Sequence, residues 1–281
     1  MPEAGSRYTN AMSDQTKRPS AEPWWTPRHV PIGQGLELDL GTIRLKLGHG
    51  PDEWRIDHEY LPEDAAPDKV RIKGRRSLPP EFKERYVIGG DASRLNLTPL
   101  LADRNVVIRP RQPVFLLSGQ EVTLYLSTPV WIRMEVGEPG TLLRELPVLR
   151  MSDTWFSPST REGEICYAGR TQARHHISEL PRRPHRAITP LHIHNKASTP
   201  LPLEKFSLPV PMLSLYGGAD GSLWTQRLTL TREDQSDLAA VRIDRRPPDY
   251  ADELVLLAKP RQDPGRSGLI RAFSLLFGSQ A

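Results

Sequence analysis

The chain has 281 residues, which is enough for one large all-β domain or for two smaller ones. A single cysteine excludes an intrachain disulfide framework, and a net charge of only +4, without an aromatic-basic strand motif, argues against nucleic acid as the partner. The 28 prolines favour short strands and turns over helical bundles, because proline lacks a backbone donor and interrupts helices.

The start of the chain differs in composition from the middle. Residues 1–23 are polar and lack the apolar core of a secretory signal, so we expect a disordered tail on a cytoplasmic protein. No apolar run reaches the ~18 residues that a transmembrane helix needs. Order is predicted to begin at Trp24 and Trp25, which point to opposite faces of an extended segment, so that one of them can dock on the core.

A hairpin around Gly41 and Thr42 is the clearest local prediction. Apolar and charged residues alternate on both sides of this pair. A two-residue turn would set the register Leu40–Ile43, Asp39–Arg44, Leu38–Leu45 and Glu37–Lys46. The apolar pairs then share one face, and charge pairs of opposite sign share the other. We therefore predict an antiparallel sheet with one solvated face.

Strand-like segments punctuated by turns continue through residues 54–60, 106–136 and 186–216. This spacing predicts an all-β, mainly antiparallel, sandwich-like fold across residues 24–262. Residues 113–130 also resemble residues 190–210, with the first matches at an offset of 77 positions and the last match three positions further on. Two similar β halves, 24–141 and 142–262, would explain this resemblance, and so would a shared use of proline-terminated strands.

The last segment, 263–281, is predicted to form a short C-terminal helix or tail. Apolar residues recur there at helical spacing, namely Leu269, Ile270, Phe273, Leu276 and Phe277. Such a helix would pack on its own domain, or it would dock on a partner or a membrane surface.

Residues 170–186 carry the strongest local charge bias of the chain, and Glu179 is the only acid among them. The candidate ligand-binding residues are Arg170, Arg174, His175, His176, Arg182, Arg183, His185 and Arg186. Arginine forks suit phosphate and carboxylate, and histidines add charge below about pH 6.5. The stretch is either a solvated basic loop or a site for an anion, such as a small molecule or a phospholipid headgroup.

His192 and His194 are the candidate metal ligands. At positions i and i+2 of a strand they share one face, about 7 Å apart, which would let both imidazoles meet one metal as in cupin barrels. A cupin, however, places an acid four or five residues after the second histidine, whereas here the next acid is Glu204, ten residues on. If Leu191 and Ile193 face the core, the histidines face solvent, and this is the simpler interpretation.

Catalytic signatures are otherwise missing from the sequence. There is no nucleophile elbow and no phosphate-binding glycine-rich loop, so we predict no catalytic residue and no cofactor. Cys166, between Ile165 and Tyr167, is interpreted as a small buried hydrophobic residue and not as a catalytic thiol.

Several segments, in this order and spacing, resemble the family called domain of unknown function 432. They are LPVLRMSDTWFSP, EICYAGRTQAR, RAITPLHIHNKASTPLPLEKFSLPVPMLSLY and SLWTQRLTL, and the similarity spans roughly Gly35 to Arg246. The resemblance implies an origin in archaea or gammaproteobacteria, where the family is often encoded beside small-conductance mechanosensitive channels. It implies no residue roles, because the family has no established activity.

Three functions follow from these observations, in order of preference. The first is a non-enzymatic interaction or accessory protein, linked through the resemblance to a mechanosensitive channel or a membrane-stress system. The second is an anion- or small-molecule-binding β-sandwich that uses the basic loop. The third is a cupin-like metal-dependent enzyme built on His192 and His194.

Overall fold

The computed structural model describes residues 22–67, 69–156, 161, 163–233, 238–249, 253–263 and 269–271. Within these residues the chain forms β-strands joined by turns and by short 3₁₀ segments at Glu63–Ala65, Ile177–Glu179 and Val210–Met212. The all-β, mainly antiparallel fold class predicted from the sequence is confirmed, and the sandwich-like arrangement stays a prediction.

In the described part of the chain, the first twelve strands are β1 (Arg28–His29), β2 (Gly35–Leu40), β3 (Ile43–His49), β4 (Glu53–Tyr60), β5 (Arg71–Arg75), β6 (Glu84–Val87), β7 (Arg94–Leu100), β8 (Val106–Pro110), β9 (Phe115–Leu116), β10 (Glu121–Pro129), β11 (Trp131–Val136) and β12 (Thr141–Pro147). They are followed by β13 (Asp153–Phe156), β14 (Glu164–Thr171), β15 (Arg186–Asn195), β16 (Leu201–Pro202), β17 (Phe206–Leu208), β18 (Leu215–Gly217), β19 (Leu223–Thr225), β20 (Leu228–Arg232), β21 (Leu238–Ile243), β22 (Val255–Ala258) and β23 (Leu269–Arg271).

The predicted hairpin is confirmed as strands β2 and β3 of a five-stranded sheet with the order β5-β2-β3-β4-β6. Leu40 pairs with Ile43 and Asp39 pairs with Arg44, in the predicted register. The leucines of both strands are buried. On the solvated face, Arg44 Nε donates to Asp39 Oδ1 over 2.9 Å. Side chains of opposite charge therefore pair on the solvated face, as the alternation of apolar and charged residues predicts.

Strand β15 lies at the centre of an eight-stranded sheet. It pairs antiparallel with β10 along its whole length, and parallel with β19 and β20. Strands β18 and β22 extend this sheet beyond β19, and β21 and β23 extend it beyond β20. Leu191 and Ile193 of β15 are completely buried, as strand alternation requires if His192 and His194 face outward.

The remaining strands form three smaller sheets. One has the order β1-β7-β11-β12, one has the order β13-β14-β8-β17, and β9 pairs with β16 alone. Strands β8 and β14 run parallel, although 53 residues separate Pro110 from Glu164 along the chain. This parallel pair is important for the site described below, because it aligns residues from two distant segments.

One continuous apolar core connects the sheets. Among the described residues, the main buried cluster takes members from all five sheets, such as Leu38, Ile132, Leu191, Ile108 and Leu201. The proposed boundary between two halves falls inside β12, and β10 from the first half pairs with β15 from the second. The two halves therefore share both a sheet and a core, and a repeat relating them stays a prediction.

The N-terminal anchor is confirmed, while most of the predicted tail, residues 1–21, lies outside the described residues. Trp24 is only 1% exposed, and its indole Nε1 donates to the carbonyl oxygen of Pro184 over 2.9 Å. Trp25 is partly exposed and meets Trp24 edge-on. The start of the domain is thus fastened to the segment that leads into β15.

The predicted C-terminal helix is wrong for the part that is described. Leu269–Arg271 form strand β23, which pairs antiparallel with β21. A short apolar run fits both helical and strand spacing, and the free edge of β21 decides the outcome here by offering backbone partners. Phe273, Leu276 and Phe277 lie outside the described residues. Among the described residues, no helix has the length and apolar character to cross a membrane.

Candidate functional site

A cavity of about 660 Å³ lies where strands β8 and β14 approach β10 and the start of β15. Among the described residues, seven arginines line it: Arg109, Arg111, Arg150, Arg170, Arg174, Arg183 and Arg186. Glu63 is the single acid among those lining residues, which gives them a formal charge of +6. This exceeds the +4 net charge of the whole chain, so the cavity concentrates the positive charge of the molecule.

Arg186, the first residue of β15, is the most firmly oriented cation of the cavity. Its Nε donates to Ser127 Oγ over 3.0 Å, and its Nη2 donates to the Ser127 carbonyl oxygen over 2.7 Å. Two bonds to one residue hold the plane of the guanidinium in place. Burial lowers the pKa of Arg186 to about 10, which still leaves the group charged at neutral pH.

Arg186 has no carboxylate in salt-bridge contact within the described part of the chain. Glu63 lies near enough to raise the pKa of Arg186, but burial, which lowers this pKa, outweighs Glu63, and the nearby charge of Arg183 lowers it further. Withdrawing a charge from water costs free energy unless an opposite charge compensates it. The cavity thus holds an oriented, partly desolvated cation whose natural complement is an anion.

Arg109 and Arg170 form a second element of the site. They are register partners on the parallel strands β8 and β14, and both are exposed toward the cavity. Neighbouring strands lie about 4.8 Å apart, and like charges placed side by side across a sheet repel each other. In the described structure neither arginine forms a salt bridge that would relieve this repulsion. Arg111 adds a third cation next to them, and its backbone N–H donates to the Thr171 carbonyl oxygen over 2.8 Å.

A turn after β14 brings Arg174 back over β10. Ala173 adopts a φ of +48°, in the left-handed region that few L-residues occupy, and its N–H donates to Thr171 Oγ1 over 3.1 Å. The Tyr125 N–H then donates to the Arg174 carbonyl oxygen over 2.9 Å. This reversal of the chain direction places the side chain of Arg174 at the cavity and ties its backbone to the strand that carries Ser127.

Arg150 approaches from the segment between β12 and β13. Its guanidinium carbon lies 4.2 Å from the ring centroid of Tyr60, which is a cation–π contact. Tyr60 is itself held by a hydrogen bond from its hydroxyl to the Pro147 carbonyl oxygen over 2.8 Å. The first, five-stranded sheet therefore supports one cation of the cavity through an aromatic ring.

Half of the ligand-binding residues predicted from the sequence come together in this cavity. Arg170, Arg174, Arg183 and Arg186 line it. Arg182 does not line it and instead forms an ion pair with Asp220, with Nη1 and Oδ2 2.7 Å apart.

The three predicted histidines also lie outside the lining of the cavity. His175 and His176 are exposed, whereas His185 is only 8% exposed. The ring of His185 packs so closely against Gly41 that a Cβ there would lie 2.9 Å from it. His185 thus has a packing role under the β2–β3 turn.

Sequence reasoning missed three cavity arginines, Arg109, Arg111 and Arg150. Arg109 and Arg150 each follow an apolar stretch, where a single arginine looks like the polar position of a strand, and Arg111 follows Pro110. Arg109 and Arg111 reach residues 170–186 through the parallel pairing of β8 with β14, and Arg150 precedes β13, which also pairs with β14. No local sequence pattern predicts these pairings. The signal that was present is the sequence RPR at residues 109–111, a small basic cluster at the end of a strand.

His192 and His194 lie on the outer face of β15, in a smaller cavity of about 470 Å³. His192 Nδ1 lies 3.2 Å from Thr123 Oγ1, and His192 Nε2 lies 3.4 Å from Glu121 Oε2. The described lining also contains Arg227 and Arg242, but it contains no acid. No group of three or more His, Cys, Asp or Glu residues suited to a metal ion occurs in the described part of the chain.

Cys166 is fully buried with Val107 and Phe156. Burial raises the pKa of its thiol to about 12, so the thiolate does not form at neutral pH. The interpretation of Cys166 as a small hydrophobic residue agrees with this environment.

Comparison with known proteins gives one result. A family model described as "Protein of unknown function (DUF432)" matches residues 24–277, which is nearly the whole chain. No curated protein matches the chain, and no solved structure does. The match extends beyond the segments on which the resemblance was first based, at both ends. The chain therefore belongs to the DUF432 family of proteins of unknown function.

Proposed function

We propose that the chain binds a small, multiply charged anion of the phosphate-bearing class in the arginine-lined cavity, and that it acts as a binding protein and not as an enzyme. Arg186 carries this proposal. Its guanidinium is oriented by Ser127, partly desolvated, and without a carboxylate counter-ion in the described structure. Burying this charge without a counter-ion costs free energy in the empty protein, and a bound anion would offset that cost.

The formal charge of the lining supports an anion with several negative groups. Seven arginines against one glutamate are far more than a single carboxylate would need, within the described lining. Arg109 and Arg170 stand side by side, and a phosphate group between them would turn their repulsion into attraction. The planar guanidinium donates two parallel hydrogen bonds to phosphate, which adds orientation to charge.

Binding is favoured over catalysis by the chemistry of arginine. A guanidinium keeps its proton at any physiological pH, so it stabilises negative charge but does not shuttle protons. Even the lowered pKa of Arg186, about 10, leaves it protonated near neutrality. The residues that dominate the cavity therefore suit a ligand that is held and released unchanged.

The accessory role linked to a mechanosensitive channel and the cytoplasmic location stay predictions. Both predictions are compatible with a binding protein, because a partner could respond to whether the cavity is occupied. A native pull-down with a channel encoded beside this protein would recover the complex if the link is real, and recovery of nothing would count against it.

Titration calorimetry with inorganic triphosphate tests the binding proposal. We expect measurable binding to the wild-type protein at low ionic strength. Arg186→Met should weaken it at least about 10-fold, because a hydrogen bond to a charged group contributes about 1.5–3 kcal/mol. High salt should weaken binding to the wild type as well, since ions screen the partly exposed arginines.

Arg182→Met is the matched control for this titration. Arg182 lies four residues before Arg186 in the same basic stretch, but it pairs with Asp220 and does not line the cavity. We expect this variant to bind triphosphate within about twofold of the wild type, because it removes equal charge from outside the site. Equal losses in the two variants, or no binding to the wild-type protein, would refute the proposal.

A further inference from the structure

The arginine-lined cavity has more room and more apolar surface than an inorganic anion would use. Its volume of about 660 Å³ equals the space of roughly twenty water molecules at ~30 Å³ each. Among the described lining residues, Tyr125, Leu149, Met151 and Leu180 are aromatic or aliphatic and remain partly exposed. Apolar surface left facing water is unfavourable, so these side chains favour a ligand that also carries an apolar part.

Tyr125 stands beside the oriented cation of the site. It precedes Ser127 by two residues on β10, so both side chains point to the same face, about 7 Å apart along the strand. Ser127 in turn holds the guanidinium of Arg186. An aromatic ring and a fixed cation therefore lie next to each other in one cavity.

Side-chain packing and a backbone hydrogen bond hold Tyr125 in place. Tyr125 and Leu180 pack against a cluster made by Ile188, Tyr216 and Trp224, the last of which is fully buried. The backbone N–H of Tyr125 donates a hydrogen bond to the carbonyl oxygen of Arg174, another residue of the cavity. A ring that is partly exposed and packed on a rigid cluster offers a flat, pre-organised surface for stacking.

We infer that the ligand is a nucleotide, whose phosphates meet the arginines while its base stacks on Tyr125. This inference rests on the proposed function and adds the organic part of the ligand. The phosphate end is recognised by the guanidinium groups of Arg186, Arg109 and Arg170. The base end is recognised by stacking, which tolerates different bases because every base has a π-face.

Parallel titrations with adenosine triphosphate, guanosine triphosphate and inorganic triphosphate, without divalent cations, test the inference. We expect the wild-type protein to bind at least one nucleotide about 5- to 150-fold tighter than inorganic triphosphate, the range that stacking of one base supplies. Tyr125→Leu should remove this advantage, so that the variant binds the nucleotide no tighter than it binds inorganic triphosphate. Tyr125→Phe keeps the ring and should retain the advantage.

The outcomes separate this inference from the proposal on which it rests. If neither nucleotide nor triphosphate binds the wild-type protein, the proposed function fails and the inference fails with it. If all three ligands bind equally well, anion binding stands and the nucleotide is excluded. Because this comparison uses the wild-type protein, it tests the nucleotide inference even if a variant does not fold. A folded Tyr125→Leu variant that keeps the nucleotide preference would also overturn the role of Tyr125.

Discussion

The pair formed by Arg109 and Arg170 shows how single residues make the site costly for the empty protein. Register places the two like charges side by side on parallel strands, and no carboxylate in the described structure bridges them. Elsewhere in the fold, some paired strand positions carry charges of opposite sign. Arg133 on β11 lies opposite Glu145 on β12, and its Nε donates to Glu145 Oε1 over 2.8 Å. An anion bound between the two arginines, as proposed, would account for this contrast.

Replacing one member of the pair should therefore stabilise the empty protein. We predict that Arg170→Gln raises the free energy of unfolding at low ionic strength by about 0.2–1 kcal/mol, because it removes a cross-strand repulsion. The gain should shrink in high salt, where the repulsion is screened. The same change should weaken triphosphate binding. Urea unfolding at two salt concentrations measures the first effect, and calorimetry measures the second.

Arg133→Gln is the control for this prediction, since it removes the same charge from a strand position that has an acidic partner. We expect this variant to lose about 0.2–1 kcal/mol, the opposite sign, and to leave triphosphate binding unchanged. If Arg170→Gln destabilised the protein as much as Arg133→Gln does, Arg170 would have to be a stabilising residue of the sheet, and the interpretation would fail.

At the residue scale, sequence reasoning found those cavity arginines that are close together along the chain. Arg170, Arg174, Arg183 and Arg186 stand out because few acids interrupt them. The same criterion also selected His185, which does not line the cavity, because local charge density does not reveal that its ring packs on Gly41. Arg109 is brought to the site by strand pairing, which depends on the whole fold.

The hairpin of β2 and β3 is the element whose geometry follows most directly from its residues. Its two-residue turn needs a positive φ at Gly41, and the observed value is +56°. The turn is also tightly packed. A Cβ at Gly41 would lie 2.8 Å from Val148 Cγ1 and 2.9 Å from the ring of His185, both of which are buried. Glycine at this position therefore satisfies the turn and the packing at once.

Gly41→Ala should lower the free energy of unfolding by about 2–4 kcal/mol, combining backbone strain with overpacking. Gly33→Ala is the matched control. Gly33 also has a positive φ, +83°, but a Cβ there would meet nothing within 4 Å. The control should lose only about 1–2 kcal/mol, the strain term alone. Equal losses in urea unfolding would show that contact with Val148 and His185 contributes nothing.

Elements were predicted well where one strand and its neighbour are adjacent in sequence. Alternation of apolar and charged residues is sufficient for β2 and β3, because it sets both the buried face and the register. Asp153–Phe156 form strand β13 through pairing with β14, although their polar and aromatic composition does not by itself indicate a strand. Leu269–Arg271 likewise become a strand through β21. In both cases pairing with another strand overrides the local preference.

At the scale of the whole molecule, a small net charge conceals an uneven distribution of charge. The chain carries +4, while the described lining of one cavity carries +6, so the remaining residues are acidic on balance. Such a distribution directs anions toward the cavity over distances comparable to the Debye length, about 8–10 Å at physiological salt. The composition of the chain alone gives no sign of this asymmetry, because it averages over the surface.

The anion site is most directly tested by a crystal structure of the protein grown with inorganic triphosphate. We predict ordered phosphate oxygens about 2.7–2.9 Å from the guanidinium nitrogens of Arg186, with further contacts to Arg109 or Arg170. Ser127 should keep its hydrogen bonds to Arg186 in that structure. A cavity that contains only water, with triphosphate bound at lattice contacts or nowhere, would contradict the account.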